Sequence, residues 1–189
     1  MTILTEALRG QLTARWLQPH RRHHNLVHLR EVLDAVDLLA GDGMVFDREP
    51  VELAVWFHDA VYEIGHGDNE VQSAALAQDL LPPNASREVI RLVLITETHR
   101  VEPGDVNGAV LSDADLSVLG SSDDRYARYA AAVREEYEVV PDHVFNRERA
   151  RILGALLEQD SIFHTEAGRV RWEAAARSNV EAELRRLTA

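Results

Sequence analysis

No cysteine occurs among the 189 residues, which removes disulfides, thiolate zinc sites and cysteine nucleophiles and leaves any catalysis to oxygen and nitrogen groups. Lysine is absent as well, since all 20 basic residues are Arg. Whatever codon bias lies behind that choice, it excludes Schiff-base chemistry and a phosphate-loop lysine. There is no stretch of about 18 consecutive apolar residues, and the opening MTILTEALRGQLTARW has no basic segment leading into an apolar one. These absences, with the lack of cysteine, point to a cytoplasmic protein with no membrane partner. An excess of positive charge is also missing. At a formal net charge of -12, a long nucleic acid is not the expected partner, because such binding is driven by cationic contacts to phosphates. A small anionic ligand stays compatible.

What is present reads as helix. Apolar residues recur at spacings of three and four, as in Leu29, Val32, Leu33, Val36 and Leu39, and again in Val89, Ile90, Val93 and Leu94. No segment alternates convincingly as a strand would. Turn signals divide the chain into short helices: Pro19, then Gly41 and Gly43, then Glu49-Pro50 opening a third helix that runs toward Gly65. Asp68 can cap a helix that Pro82-Pro83 stop, Ser86 can cap the next, and VEPGDVNG leads into one through Leu119. Three more are expected over about 122–139, 143–158 and 166–187. Without repeats, low-complexity tracts or long linkers, the economical reading is one all-α domain over 1–189, and a chain of this size buries roughly 70% of its unfolded surface without staples. Such a helical surface is compatible with a homo-oligomer, though no apolar stripe demands one.

Two segments break the pattern. VELAVWFHDAVY is apolar on nearly every face yet carries His58 and Asp59, and GAVLSDADLSVLG carries Asp113 and Asp115 in otherwise apolar surroundings. An ionised carboxylate buried without compensation is prohibitively costly, so such groups are paired or coordinate a metal. Leu111 and Leu119 lie one turn either side of Asp115 and favour it over Asp113 as the inward carboxylate. In the second helix, His24 and His28 are four residues apart and would share a face, about 40° around the axis. His28 borders the apolar stripe and is expected nearer the core.

A lone histidine on a helix face is usually a hydrogen-bonded structural residue, and His66, His143 and His164 are read that way. The buried His-Asp pair, the second carboxylate and the facing histidine would need three separate structural explanations, whereas one cation serves all of them. Two imidazoles and two carboxylates make a mixed nitrogen and oxygen donor set suited to a divalent Mn, Fe, Co, Ni or Zn ion and leave positions open for water and substrate.

These residues resemble the H…HD…D pattern of the HD-superfamily phosphohydrolases, in particular its small predicted metal-dependent members. The resemblance runs from about Arg15 to Leu187 through RRHHNLVHL, AVWFHDAVY, GDNEVQSA, ITETH, DADLSVLG, REEY and ARSNVEAEL. HHNLVHLREV and ADLS are also similar to metal-site signatures of cyclic-nucleotide phosphodiesterases. His23 departs from the tyrosine of that signature, and the chain is much shorter than a full phosphodiesterase domain, so cyclic nucleotides are not the implied substrate.

The resemblance implies an HD-type helical bundle with metal ligands His28, His58, Asp59 and Asp115, His24 as general acid, and a small phosphorylated molecule as substrate. The metal would be one ion, or two if Asp59 bridges, with Mg added to the candidates above. His99 is a candidate second-metal ligand or phosphate contact, Arg21 and Arg22 are candidate phosphate clamps, and Glu70 could reach a metal-bound water. Two other readings share the scaffold. One is a nucleotide-binding sensor without turnover, and the other a di-iron oxygenase drawing extra ligands from His99, Glu70, Asp113 or His66.

Overall fold

The computed structural model describes residues 3–189, and among them there are helices and no strand. The all-α expectation is met. Thr5 accepts from the Leu8 N–H at 3.2 Å to open α1 (Glu6–Trp16), and Asn25 accepts from the Val27 N–H at 2.8 Å to open α2 (Leu26–Gly41). There follow α3 (Arg48–Phe57), α4 (Asn69–Leu80), α5 (Pro83–Ile95) and α6 (Val106–Asp115). A 3₁₀ turn, Leu116–Gly120, leads to α7 (Asp123–Glu136) and α8 (Asp142–Leu157). The chain closes with α9 (Glu166–Gly168), a π-helical turn over Arg169–Glu173, and α10 (Ala174–Leu187).

Two apolar clusters hold these elements together. The larger joins α1 to α6 around α3, where Val51, Leu53, Ala54, Val55, Trp56 and Phe57 are all buried. The smaller joins the 3₁₀ turn, α7, α8 and α10 through residues such as Tyr126, Leu153, Phe163 and Val180. Trp172, on the π-helical turn, packs against both clusters. A Cβ added to Gly120 would lie 2.5 Å from the Trp172 Cβ, so the close approach of the 3₁₀ turn to the π-helical turn depends on that glycine.

Several local expectations need correction. The third helix ends at Phe57 rather than running toward Gly65. Arg21 takes the Asp59 carbonyl at 2.7 Å and the Ala60 carbonyl at 3.4 Å, while Ser73 accepts from the Val61 N–H at 3.0 Å, so backbone groups past Asp59 serve side chains instead of a helical ladder. The second helix begins at Leu26, after the Asn25 cap, which leaves His24 in the preceding loop and off any helix face shared with His28. The sixth ends at Asp115 and tightens into the 3₁₀ turn, and the Asn179 amide donates to the Leu119 and Ser121 carbonyls at 2.8 and 2.9 Å just beyond. Pro82 is itself the cap of α5, with Pro83 in its first turn, so Ser86 lies inside the helix. Asp68 does occupy the cap position of α4, but its carboxylate accepts from the Gln72 amide at 3.0 Å and not from a helical N–H.

The C-terminal segment is pinned to the larger cluster by a buried carboxylate. Asp113 accepts from the His164 N–H at 2.7 Å, the Thr165 N–H at 2.8 Å and the Thr165 hydroxyl at 2.6 Å. Replacing Asp113 with Ala strands those donors, each unsatisfied group costing about 1–3 kcal/mol. Thermal unfolding followed by circular dichroism is expected to show the midpoint lowered by roughly 6–12 °C for a loss of about 3 kcal/mol in a chain of this length.

Candidate metal centre

The site forms where three distant stretches of chain meet. His28 comes from the first turn of α2, His58 and Asp59 from the end of α3 and the turn beyond it, and Asp115 from the last position of α6. Two of these elements present their C-terminal ends, whose exposed carbonyl dipoles favour a cation. The floor is apolar: Trp16 is fully buried, packs with ring centroids 5.4 Å from His58 and 6.2 Å from His28, and gives its own N–H to the Trp56 carbonyl.

His28 Nε2 and His58 Nε2 are 3.2 Å apart. Asp115 Oδ1 lies 3.1 Å from the first and 3.6 Å from the second, and Asp59 Oδ2 lies 3.7 and 3.2 Å from them. Ligand atoms each about 2.1 Å from one ion and at right angles sit about 3 Å from each other. The spacing therefore fits a shared cation. His28, His58 and Asp115 form the tightest set, with ligand atoms all within 4.8 Å of one another, and Asp59 flanks it. Because the His58 Nδ1 points at the Val55 carbonyl, 2.9 Å away, a neutral His58 carries its proton there and leaves Nε2 free to coordinate.

The charges agree with the distances. Burial pushes both carboxylates up, yet His58 overcomes it and holds Asp115 well below the usual carboxylate range and Asp59 below it too. Burial pulls the His58 imidazole down, and Asp59 with Asp115 outweighs that to hold it well above its ordinary value. Two largely enclosed anions, each with 13% of its side chain exposed, thus call for positive charge between them, supplied by protons on the imidazoles or by a divalent ion.

His24 stands beside this cluster. Its Nδ1 is 2.6 Å from Glu136 Oε2, and its ring stacks on Tyr62 at a centroid distance of 4.2 Å. The other oxygen of Glu136 accepts the backbone N–H groups of Arg22, His23 and His24 at 2.8, 2.8 and 2.9 Å, which fixes the loop that carries His24. These bonds bring the Glu136 carboxyl down to about 2, against burial. Burial lowers His24, but Asp59 and Glu136 together raise it above the ordinary histidine value. Sequence reading gave Glu136 no part, because in REEY it looks like any acidic helix end; its burial follows from α7 packing onto the loop.

A cavity of about 370 Å³ opens onto the cluster and onto His24, with Glu70, Glu97 and His99 on its wall. Burial raises the Glu70 carboxyl, and Asp59 and Glu97 add to the effect. Burial lowers the His99 imidazole; its Nε2 is 3.7 Å from Asp115 and its Nδ1 is 3.1 Å from the Ser112 hydroxyl. His99 also has a φ of 52°, unusual outside glycine. His66 lies on the rim, exposed.

Not every candidate reaches the cavity. Arg21 is buried with its guanidinium committed to Gln18 and to the carbonyls of His24, Asp59 and Ala60, so it is a clamp for two loops and has no donor directed at a phosphate. Arg22 is half exposed, bonded to the Pro19 carbonyl and 3.6 Å from Glu135, and does not line the cavity. Asp113 faces the C-terminal segment, and His164 bonds the His99 carbonyl at 2.9 Å.

Replacing His58 with Ala removes a ligand from the tight set, whereas Glu136→Gln leaves the set whole. Elemental analysis after loading with Mn²⁺ is expected to find the ion lost from the first variant and retained by the second. Stoichiometric metal in His58→Ala would mean the ion binds elsewhere. In comparisons with protein-family models, curated proteins and solved structures, nothing matches this chain.

Proposed function

We propose that this chain is a metal-dependent phosphohydrolase of the HD superfamily, acting in the cytoplasm on a small phosphorylated molecule. The observation that carries the proposal is the meeting of His28, His58 and Asp115, flanked by Asp59, with imidazole and carboxylate atoms 3.1–3.7 Å apart, beside a histidine backed by its own carboxylate. The motif resemblance, HHNLVHL, WFHD and DADLS in order, supports the same reading. The cytoplasmic setting rests on the cysteine-free sequence, and no helix among the described residues is long and apolar enough to cross a membrane.

His28, His58, Asp59 and Asp115 would hold the ion. A divalent ion there supplies Lewis acidity toward a phosphoryl oxygen and makes water acidic enough to lose a proton near neutral pH. His24 does the complementary work. With Nδ1 fixed on Glu136, its Nε2 is the ring nitrogen left to face the cavity and to carry a proton to the leaving oxygen. Glu136 acts through His24, holding the ring in place and favouring its protonated form. Trp16 and Tyr62 keep water from the back of both imidazoles. Glu70, its carboxyl raised by burial, can hold a proton on the cavity wall.

Incubation with p-nitrophenyl phosphate and added Mn²⁺ is expected to release phosphate, and chelation to stop it. Ligand binding without any turnover on a broad ester panel would favour a sensor instead. His24→Ala should keep the metal and slow turnover by about 10²–10⁴-fold on alkyl phosphates, less on the nitrophenyl ester, as removal of a general acid does. Glu136 stays on His24 with the ion bound and favours the protonated ring, so activity is expected to fall as pH rises through the His24 titration. In Glu136→Gln that alkaline limb of the kcat/KM profile should move to lower pH. An unmoved limb would take Glu136 out of the acid's control.

A further inference from the structure

The cavity over the cluster is not the whole of the space that His24 faces. A second hollow of about 330 Å³ lies between α7 and α8, and His24, Tyr129 and Tyr137 line both. Its remaining walls are Val133, Val140, Val144, Phe145 and Ile152, with the Tyr137 and Phe145 rings 5.9 Å apart. The charged residues at its edge are already engaged. Arg149 is paired with Glu183 at 3.0 Å and covers the Tyr129 ring, and Glu148 is held by Arg147 and Arg151 at 3.1 and 3.2 Å. The hollow thus offers rings and methyl groups, without an uncommitted cation for a second phosphate or a carboxylate.

A general acid must touch the leaving oxygen, so whatever that oxygen is attached to extends to the side of His24 away from the metal ligands. We infer that the hollow between α7 and α8 is the leaving-group compartment, and that the substrate is a phosphate ester whose leaving alcohol carries an uncharged aromatic ring. This rests on the phosphohydrolase reading of the cluster. Away from the leaving oxygen, the Tyr137 and Phe145 rings with Val133, Val140, Val144 and Ile152 favour a flat ring over further hydroxyls, which would lose water there without finding partners.

The test compares adenosine 5′-monophosphate with ribose 5-phosphate, two esters with chemically similar leaving oxygens that differ in the aromatic base. With Mn²⁺-loaded protein, kcat/KM is expected to be at least tenfold higher for the base-bearing ester. Val144→Asp sets a carboxylate in the wall of the hollow, and Ile152→Asp does so from a half-exposed position that leaves the core intact. In either variant the ratio between the two esters should fall toward one, with melting curves reporting that the chain is folded. Equal kcat/KM for both esters in the parent protein overturns the compartment and leaves the phosphohydrolase reading standing. A tenfold preference unchanged in both folded variants also overturns it. Failure to release phosphate from either ester, or from p-nitrophenyl phosphate, sinks the parent reading and the compartment with it.

Discussion

The structure turns on two carboxylates, Asp59 and Asp115, that meet the same pair of histidines and keep only 13% of their side-chain surface open to water. Two such anions this close would repel one another and lose hydration with nothing in return, a penalty of several kcal/mol per ion. His28 and His58, within 3.7 Å of both, provide the compensation. Protonated imidazoles can supply it, and so can a divalent ion, which carries twice the charge at a single point. The distances fit an ion about 2.1 Å from each ligand atom, and they equally let His28 donate to Asp115 at 3.1 Å and His58 to Asp59 at 3.2 Å. The interior of the larger cluster is built around this arrangement: α2, α6 and the α3 helix that leads into the turn with His58 and Asp59 also contribute Val32, Leu111 and Val55 to its core.

A second layer of long-range bonds gives a loop residue the precision of a helical one. His24 lies ahead of α2, where loops ordinarily move. Glu136, arriving from α7, binds three successive backbone N–H groups and the His24 ring, and Arg21 ties the His24 carbonyl to those of Asp59 and Ala60. His24 is thereby registered against the His28, His58, Asp59 and Asp115 cluster from both sides. Tyr62 adds its hydroxyl to Glu136 at 3.1 Å and its ring to His24, so the turn after α3 also sets the face that His24 presents.

What the sequence made legible follows from the range of the forces involved. Helical periodicity is local, and it gave the all-α architecture together with most helix positions. The cost of burying charge is nearly local too: His58 and Asp59 stand out because the residues around them are apolar. Leu111 and Leu119 pointed to Asp115 as the inward carboxylate, whereas Asp113 is the one fully buried, on the C-terminal segment, and Asp115 stays partly exposed beside the histidines. Helix ends were less legible. Past Phe57 the carbonyls of Asp59 and Ala60 are claimed by Arg21, and at the end of the 3₁₀ turn those of Leu119 and Ser121 by Asn179, both partners far away in sequence. Glu136 and Arg21 had opposite fates for the same reason. One looked like a solvated helix end and is buried beneath a loop, and the other looked like a phosphate clamp and is spent on backbone. Only the tertiary fold decides which donors find partners.

That redistribution of arginines bears on how a phosphate could be held at all. No arginine lines the cavity over the cluster, while Asp59, Asp115, Glu70 and Glu97 do. In a chain of net charge -12, such a cavity repels a phosphate ester unless positive charge resides at the cluster itself or on His24. In the proposed reading the ion is therefore also the main anchor of the substrate, and affinity for the ester and affinity for the metal are thermodynamically linked. The same arrangement leaves the hollow between α7 and α8 as the place where selectivity among esters can arise, since the ion attracts every phosphate alike and the apolar walls do not.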